Sequence, residues 1–278
     1  MSIRFYKPTT SSRRHTSVVD YKRVLNKSSK TPKSLMVSKA KSAGRNNVGK
    51  ITVRHRGGGF KKIIRTVDFF RNDKIDIPAK IQTVEYDPNR SGFISLLAYR
   101  DGEKRFIIAT DGIKVGDTII ASQKAPIKTG NRLPIFAIPV GTLVHDVELE
   151  PKAGGKIARS AGAYATVQAV EGQQAIVKMP SSEIRRVPSN CWATIGQVSN
   201  AAHMNVRIGL AGRKRLMGWR PTVRGKAMNP VDHPHGGGEG NQPIGLKYPK
   251  TPWGKHALGV KTRRRKKYSN SRILSRRK

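Results

Sequence analysis

The stretch of this sequence with the most evident chemical potential is glycine-rich residues 228–240, which carry His233 and His235 two positions apart. Asp232 and Glu239 lie in the same stretch, so its imidazole and carboxylate groups could bind a metal ion or act as a general acid and base. No cysteine and no third histidine follows at a typical ligand spacing. A glycine-rich loop also cannot hold catalytic groups at fixed distances without a packed scaffold. We therefore predict no catalytic residue, no metal site and no intrinsic cofactor.

Single basic residues in tight loops form a second group of candidates. Arg90 follows an Asp-Pro-Asn turn, Arg159 follows a loop with two glycines, and Arg71 and Lys74 share a third loop. The guanidinium group presents a planar fork of donors that matches a phosphate, and loop tips of small barrels commonly contact oligonucleotides. Each residue taken alone could be an ordinary solvated base. As a cluster, they predict phosphate contacts.

Three consecutive glycines at residues 57–59 are flanked by bases on both sides. Glycine lets the backbone approach a phosphate closely, and the flanking bases supply charge. A flexible hinge is an equally good interpretation, and both can hold. We expect the basic residues here and in the last 78 residues, together with both histidines, to contact nucleic acid. They are Arg54, Arg56, Lys61, Lys62, Arg213, Lys214, Arg215, Arg220, Arg224, His233, His235, Arg263, Arg264 and Arg265.

The elements that must position these residues are short strands. Apolar runs separated by Gly, Asn, Asp and Pro predict a mainly β chain with no long helix. The predicted strands are 62–70, 79–86, 92–100, 104–110 and 117–122, then 141–149, 163–170, 174–179, 184–187 and 193–198. A proline-marked joint at 126–139 favours two small antiparallel barrels in tandem over the alternative, a single ten-stranded sandwich.

Positive charge is concentrated at the two ends of the chain. Residues 1–60 hold 15 Lys and Arg against one acid and residues 201–278 hold 20 against two, whereas residues 61–200 hold 20 against 14. Such ends, without apolar periodicity, should be disordered until a polyanion neutralises them. The sign of the charge excludes cationic partners, and nucleic acid is the expected partner.

An anionic membrane is the main rival partner, but no apolar run approaches the ~18 residues of a membrane span. The beginning of the chain superficially resembles an organelle transit peptide, yet Pro8 and the lack of amphipathic spacing favour a basic arm. A single cysteine, Cys191, cannot form an intramolecular disulfide or a Cys-based zinc site. The sequence therefore predicts a reduced, cytoplasmic protein.

Three motifs resemble those of one known family. They are Glu-Tyr-Asp-Pro-Asn-Arg-Ser at 85–91, Gly-Gly-Lys-Ile-Ala-Arg-Ser-Ala-Gly at 154–162, and the histidine-containing stretch 229–240. The chain resembles, over nearly its whole length, the family of the second protein of the large ribosomal subunit, bacterial type.

The resemblance implies an oligonucleotide/oligosaccharide-binding (OB) barrel followed by an SH3-like barrel. We place the parts at 1–60 (basic N-terminal extension), 61–125 (OB-fold-like barrel), 126–200 (SH3-like barrel) and 201–278 (basic Gly/Pro-rich extension that penetrates rRNA). The family's RNA contacts carry over to Arg71, Lys74, Arg90 and Arg159. The residue matching His233 has been considered catalytic in the family, but we expect it to shape RNA instead.

The resemblance also implies partners. They are large-subunit rRNA, neighbouring ribosomal proteins, the small subunit across a contact in the assembled ribosome, and a nearby tRNA site, with no membrane and no homo-oligomer. Mg²⁺ and K⁺ are expected only as rRNA-associated ions. The implied role is structural: primary rRNA binding near the peptidyl-transferase region that supports subunit association, tRNA binding and peptide-bond formation. Two alternatives stay open at this point, a nucleic-acid-condensing protein without a unique site and an enzyme centred on His233 and Asp232.

Overall fold

The computed structural model describes residues 3–26 and 31–277; parts of the predicted extensions, residues 1, 2, 27–30 and 278, lie outside the described residues. The chain forms two compact units. Unit 1 comprises residues 1–40, 61–211 and 271–278, and unit 2 comprises residues 41–60 and 212–270. The four parts expected from the sequence divide the chain consecutively, whereas the compact units combine segments from both ends.

The N-terminal part of the chain forms two small antiparallel pairs, β1 with β2 and β3 with β4. The elements are β1 Ile3–Phe5, α1 Ser11–Arg14, β2 Ser17–Val19, α2 Tyr21–Val24, a 3₁₀ turn Lys33–Leu35, β3 Met36–Ser38 and β4 Ile63–Arg65. The prediction of one strand over 62–70 is wrong in extent. Only Ile63–Arg65 is a strand, and it pairs with the N-terminal segment. Further along the predicted run, Val67 makes an isolated parallel bridge to Phe106 of the first barrel.

The first barrel is a four-stranded antiparallel sheet in the order β7-β6-β5-β8. Its strands are β5 Ala79–Glu85, β6 Ile94–Tyr99, β7 Lys104–Ile108 and β8 Thr118–Ile119. A bulge in β5 at residue 82 curves the sheet around a core that includes Ile81, Leu97 and Ile107. Leu35 and Val67 pack on the opposite face, so β6 is buried on both faces and lacks alternation.

The second barrel is a seven-stranded antiparallel sheet in the order β15-β13-β12-β11-β10-β14-β9. Its strands are β9 Arg132–Pro134, β10 Leu143–His145, β11 Ala165–Glu171, β12 Gln174–Lys178, β13 Ile184–Pro188, β14 Trp192–Ile195 and β15 Ile273–Ser275. It encloses its own apolar core, so the single sandwich is wrong and the tandem barrels are confirmed. The predicted joint at 126–139 contains strand β9. Pro134 is tolerated in this strand because β9 lies at the edge of the sheet, where the missing N–H costs little.

Helices are few and short. The remaining ones are 3₁₀ turns Ile135–Ala137, Ala201–Asn205, Gly225–Ala227 and Tyr268–Asn270, and α3 Ala211–Leu216. Among the residues that the structure describes, no helix combines the length and the apolar character needed to span a bilayer.

Both segments of unit 2 are loops that leave unit 1 and return to it. Residues 41–60 depart after β3 and return before β4, and these strands pair with Ser38 opposite Ile63. Residues 212–270 depart after Arg207, which exchanges two hydrogen bonds of 2.9 Å with Ser17, and return at β15, which pairs with β13. Hydrogen bonds within unit 1 therefore hold both ends of each loop.

A charged cluster lies inside the second barrel. Arg132 is wholly buried and donates to Asp146 Oδ2 and Glu148 Oε1, both at 3.0 Å. The second oxygen of Glu148 accepts the Trp192 N–H at 3.1 Å. Burial raises the pKa of Asp146, and the Arg132 charge opposes this effect. A buried charge that is paired and hydrogen-bonded is tolerated, whereas removal of one partner leaves the other stranded.

We predict that Arg132→Met lowers the free energy of unfolding by about 3–5 kcal/mol, because two buried carboxylates lose their cation. Arg23→Met is the control, since Arg23 pairs with Asp20 at the surface and its side chain is 76% exposed. The control should change stability by less than ~1 kcal/mol. Urea unfolding measures both, and equal effects of the two substitutions would contradict a dominant role for the buried cluster.

His145 predicts a dependence of stability on pH. It is fully buried, its Nδ1 donates to the Gly196 carbonyl at 3.0 Å, and burial lowers its pKa to about 3. At pH values between about 3 and the ordinary histidine pKa, this imidazole is protonated in the unfolded chain but neutral in the folded protein. The free energy of unfolding therefore rises with pH in this range. From pH 7 to 5 the wild type should lose about 2 kcal/mol more than His145→Gln does, as measured by urea unfolding. Equal losses would sink this assignment.

Candidate nucleic-acid interface

A basic groove of about 930 Å³ opens on unit 1 where residues of the two barrels meet. Phe69 and Arg90 come from the first barrel's side, and Lys156, Arg159 and Arg185 come from the second. We call these five residues the basic groove. Glu183 is its acidic member and forms an ion pair with Arg185. Arg90 pairs with Asp87 at 2.7 Å, and within the described residues no ion pair engages Lys156 or Arg159.

Two arginines of the groove lie against one aromatic ring. The guanidinium carbon of Arg159 is 4.4 Å from the Phe69 ring centroid and that of Arg90 is 5.6 Å away. Cation–π contact orients a guanidinium while leaving its edge free to donate hydrogen bonds. The sequence placed these arginines in separate loops, and the structure brings them together.

Hydrogen bonds hold the loops that carry the two arginines. Buried Asp87 accepts from the Asn89 N–H at 2.9 Å and from Arg90 Nε at 2.7 Å, which fixes the turn and the side chain together. Gly155 donates its N–H to the Phe69 carbonyl, and its own carbonyl accepts from Arg159 Nη1, both at 3.0 Å. Arg159 and its aromatic partner are therefore joined through one glycine.

Gly154 explains the need for glycine in this loop. Its φ is +72°, and a Cβ there would lie 2.9 Å from the Phe70 ring. Any side chain would push the loop away from the first barrel.

Arg71 does not lie at an exposed loop tip, and that expectation is wrong. The side chain is buried and its Nη2 donates to Thr194 Oγ1 of the second barrel at 2.9 Å. Burial lowers its pKa, and the nearby Arg132 charge adds to the effect. The left-handed φ of 53° at Arg71, set by the Asp68 side chain that accepts its N–H, turns the residue inward. Arg71 joins the two barrels and has no surface left for phosphate.

Lys74 was predicted to contact phosphate, with an ordinary solvated base as the alternative; the phosphate contact stays a prediction, and the structure shows the side chain ion-paired. It forms ion pairs with Asp101 and Glu103, and the hydrogen bond to Asp101 is the main cause that raises its pKa. Its charge is thus neutralised within the first barrel.

The bases around the three glycines lie in unit 2, apart from the exposed Lys61 and Lys62 that precede β4. Arg54, Arg56 and Arg220 line a hollow of about 230 Å³, and the Arg56 guanidinium carbon is 3.3 Å from the Trp219 ring centroid. A Cβ on Gly59 would lie 2.7 Å from both Gly218 N and Leu216 O. Close backbone packing within unit 2 therefore accounts for Gly59. The approach of this glycine-rich segment to a phosphate stays a prediction.

The remaining predicted bases are spread over unit 2. Arg213, Lys214 and Arg215 lie on α3, Arg224 is exposed before a 3₁₀ turn, and Arg264 and Arg265 are exposed. Arg263 donates to Asn270 Oδ1 at 2.7 Å and to Ser269 Oγ at 2.9 Å, which closes a turn.

The histidine-containing loop of unit 2 uses its imidazoles internally. His233 is 7% exposed, and a Cβ on Gly225 would lie 2.6 Å from its ring. Its Nδ1 accepts the His235 N–H at 3.0 Å, and His235 Nε2 accepts the Lys250 N–H at 2.8 Å. Desolvation lowers the pKa of His235, which favours the neutral form that accepts this bond. Both rings are structural parts of the loop, and within the described residues no cluster of three metal-ligating side chains occurs.

Comparison with protein families decides the identity. Residues 32–121 match the family described as Ribosomal Proteins L2, RNA binding N-terminal domain, and residues 128–254 match Ribosomal Proteins L2, C-terminal domain. The chain belongs to the ribosomal protein L2 family. It is a structural RNA-binding protein of the large ribosomal subunit, and its partners are rRNA and the ribosome. The two curved sheets fit an OB barrel followed by an SH3-like barrel.

Sequence reasoning missed three residues of the basic groove, namely Phe69, Lys156 and Arg185. Phe69 belonged to the predicted strand 62–70, and the adjacent Phe-Phe pair at 69–70 gave no sign that one ring faces the groove. Lys156 lies within the motif that identified Arg159, three residues earlier, and could have been found there.

We predict that the double variant Arg90→Gln/Arg159→Gln loses its preference for large-subunit rRNA over an unrelated structured RNA, with about tenfold weaker binding to rRNA. Lys214→Gln/Arg215→Gln removes the same charge from unit 2 and is the control. The control should keep the preference for large-subunit rRNA. It should reduce the slope of the logarithm of the binding constant against the logarithm of the salt concentration by about 0.7–0.9 per lost phosphate contact. Competition binding at several salt concentrations measures both quantities, and an unchanged preference in the groove variant contradicts this role.

Proposed function

We propose that this chain organises rRNA near the peptidyl-transferase region, and thereby supports subunit association, tRNA binding and peptide-bond formation without catalysing a reaction. The observation that carries the proposal is the fixed basic groove on unit 1, combined with two strongly basic loops that return to the same unit. Unit 2 holds 20 of the 55 Lys and Arg residues and two of the 17 acids. Neutralisation of packed phosphates is what such loops supply.

The groove and the loops have different tasks in this proposal. Phosphate contacts position a protein but carry no sequence information, so the many bases of unit 2 supply affinity. The basic groove presents a few oriented guanidinium groups at fixed spacing, which suits recognition of one RNA shape. RNA contacts by the predicted residues of unit 2, and by Lys61, Lys62, Arg90 and Arg159, are part of the proposal.

The internal role of His233 supports a non-catalytic function. A general base needs a free acceptor nitrogen. Nδ1 of His233 accepts the His235 N–H, so in the neutral ring Nε2 carries the hydrogen, and neither nitrogen is a free acceptor. Mg²⁺ and K⁺ take part only as ions held by rRNA. The small subunit, a nearby tRNA and neighbouring ribosomal proteins complete the proposed partners, in a cytoplasmic ribosome.

Reconstitution of large subunits tests the proposal. Subunits assembled without this protein should show weaker subunit association, tRNA binding and peptidyl transfer than subunits assembled with it. His233→Gln should slow or impair assembly, because the loop loses its internal acceptor, but fully assembled variant subunits should transfer peptides at the wild-type rate. A normal yield of assembled subunits that fail in peptidyl transfer would overturn the non-catalytic assignment.

A further inference from the structure

Trp253 is the most exposed large aromatic side chain of unit 2 apart from Tyr268, with 74% of its surface accessible. It lies at the tip of a small hairpin in which Lys250 and His256 form an antiparallel bridge. The other tryptophan of unit 2, Trp219, has its ring covered by Arg56 and approached by Lys214. In the described part of the chain, no cation or second ring covers Trp253.

The hairpin fixes the backbone position of Trp253. Thr251, Pro252, Trp253 and Gly254 form a turn in which the Gly254 N–H donates to the Thr251 carbonyl at 2.9 Å. Pro252 presets the second position of the turn, and Gly254 has the positive φ of +77° that ends it. The third position therefore directs the indole ring away from the turn.

The two ends of the hairpin are fixed as well. Tyr248 and His256 stack with their ring centroids 3.8 Å apart and an angle of 20° between the planes. Pro249 accepts the Ala257 N–H at 2.9 Å, and Lys250 is bonded to His235 of the histidine loop. The backbone that carries the indole therefore loses little freedom when a ligand covers the ring.

The charge around Trp253 identifies the class of ligand. Lys247, Lys250 and Lys255 flank the turn, and no acidic residue occurs between residue 240 and the end of this sequence. An apolar protein surface would meet only these uncompensated cations, whereas RNA offers a phosphate for the cations and a planar base for the indole. Stacking of unpaired bases on aromatic rings is the usual way in which proteins hold single-stranded RNA.

We propose that Trp253 is a stacking platform for one unpaired nucleobase of rRNA, with the flanking lysines on the adjoining phosphates. The inference rests on the proposed function, and it adds a base contact to a unit whose other candidate contacts are ionic. A stacking contact differs from an ionic one in its response to salt, and this difference provides the test.

Trp253→Ala should weaken binding of the full chain to large-subunit rRNA by about tenfold, within the range for one stacked base. The log–log salt slope should stay at the wild-type value, whereas Lys255→Ala should lower it by about 0.7–0.9. Trp253→Phe should restore most of the affinity, since phenylalanine also stacks. Leu258→Ala is the matched control, because Leu258 is 69% exposed in the same unit but lies outside the turn, and it should bind as the wild type does.

Fluorescence gives a direct readout. In Trp192→Phe/Trp219→Phe protein, Trp253 is the single tryptophan, and stacking on a base should quench its emission when rRNA is added. Wild-type affinity of Trp253→Ala, no rescue by phenylalanine, or unquenched emission in the bound state would each overturn the inference. If the wild type itself shows no preference for rRNA over unrelated RNA, the proposed function fails instead.

Discussion

The contact between Arg132 and its two carboxylates is the interaction on which the rest of unit 1 depends. Asp146, one of those carboxylates, packs beneath Gly155, and Gly155 in turn bonds to Phe69 and to Arg159. Arg71 reaches the same cluster from the first barrel through Thr194. Arg132 Nε, Asp146 Oδ1 and Arg71 Nε are buried without a partner among the described residues. The hydrogen bonds that the cluster does make link the two barrels and the loop that carries Arg159.

The charge balance of the central region has a structural cause. Many of its acids pair with basic residues of the same region: Arg105 pairs with Asp68, Asp73 and Glu103, and Lys74 pairs with Asp101. These pairs raise the pKa of Arg105 and lower that of Asp73. The barrels thus neutralise much of their own charge, and most of the excess positive charge lies outside residues 61–200.

The sequence was sufficient for the mainly β fold, the tandem barrels and the family, because turn residues mark strand ends and the three motifs are long. It was insufficient for Arg71, since a basic residue in a short polar loop has the same local pattern whether it points to solvent or into a neighbouring barrel. The strand Ile273–Ser275 was missed for a related reason: a three-residue strand after a basic run gains its stability from β13, almost 90 positions earlier, and not from its own composition. Phe69 was placed in a predicted strand, and its position on the groove was missed for the same lack of long-range information.

The packing of unit 2 determines the form in which its chain can meet a ligand. Gly57 donates its N–H to the Gly218 carbonyl at 3.0 Å, and Phe60 donates to the Leu216 carbonyl at 3.1 Å. The two segments of unit 2 are therefore joined by backbone hydrogen bonds and do not behave as two separate extended chains. A segment that is already ordered loses less conformational freedom on binding than a flexible chain does, so less of its binding free energy is offset by ordering of the backbone.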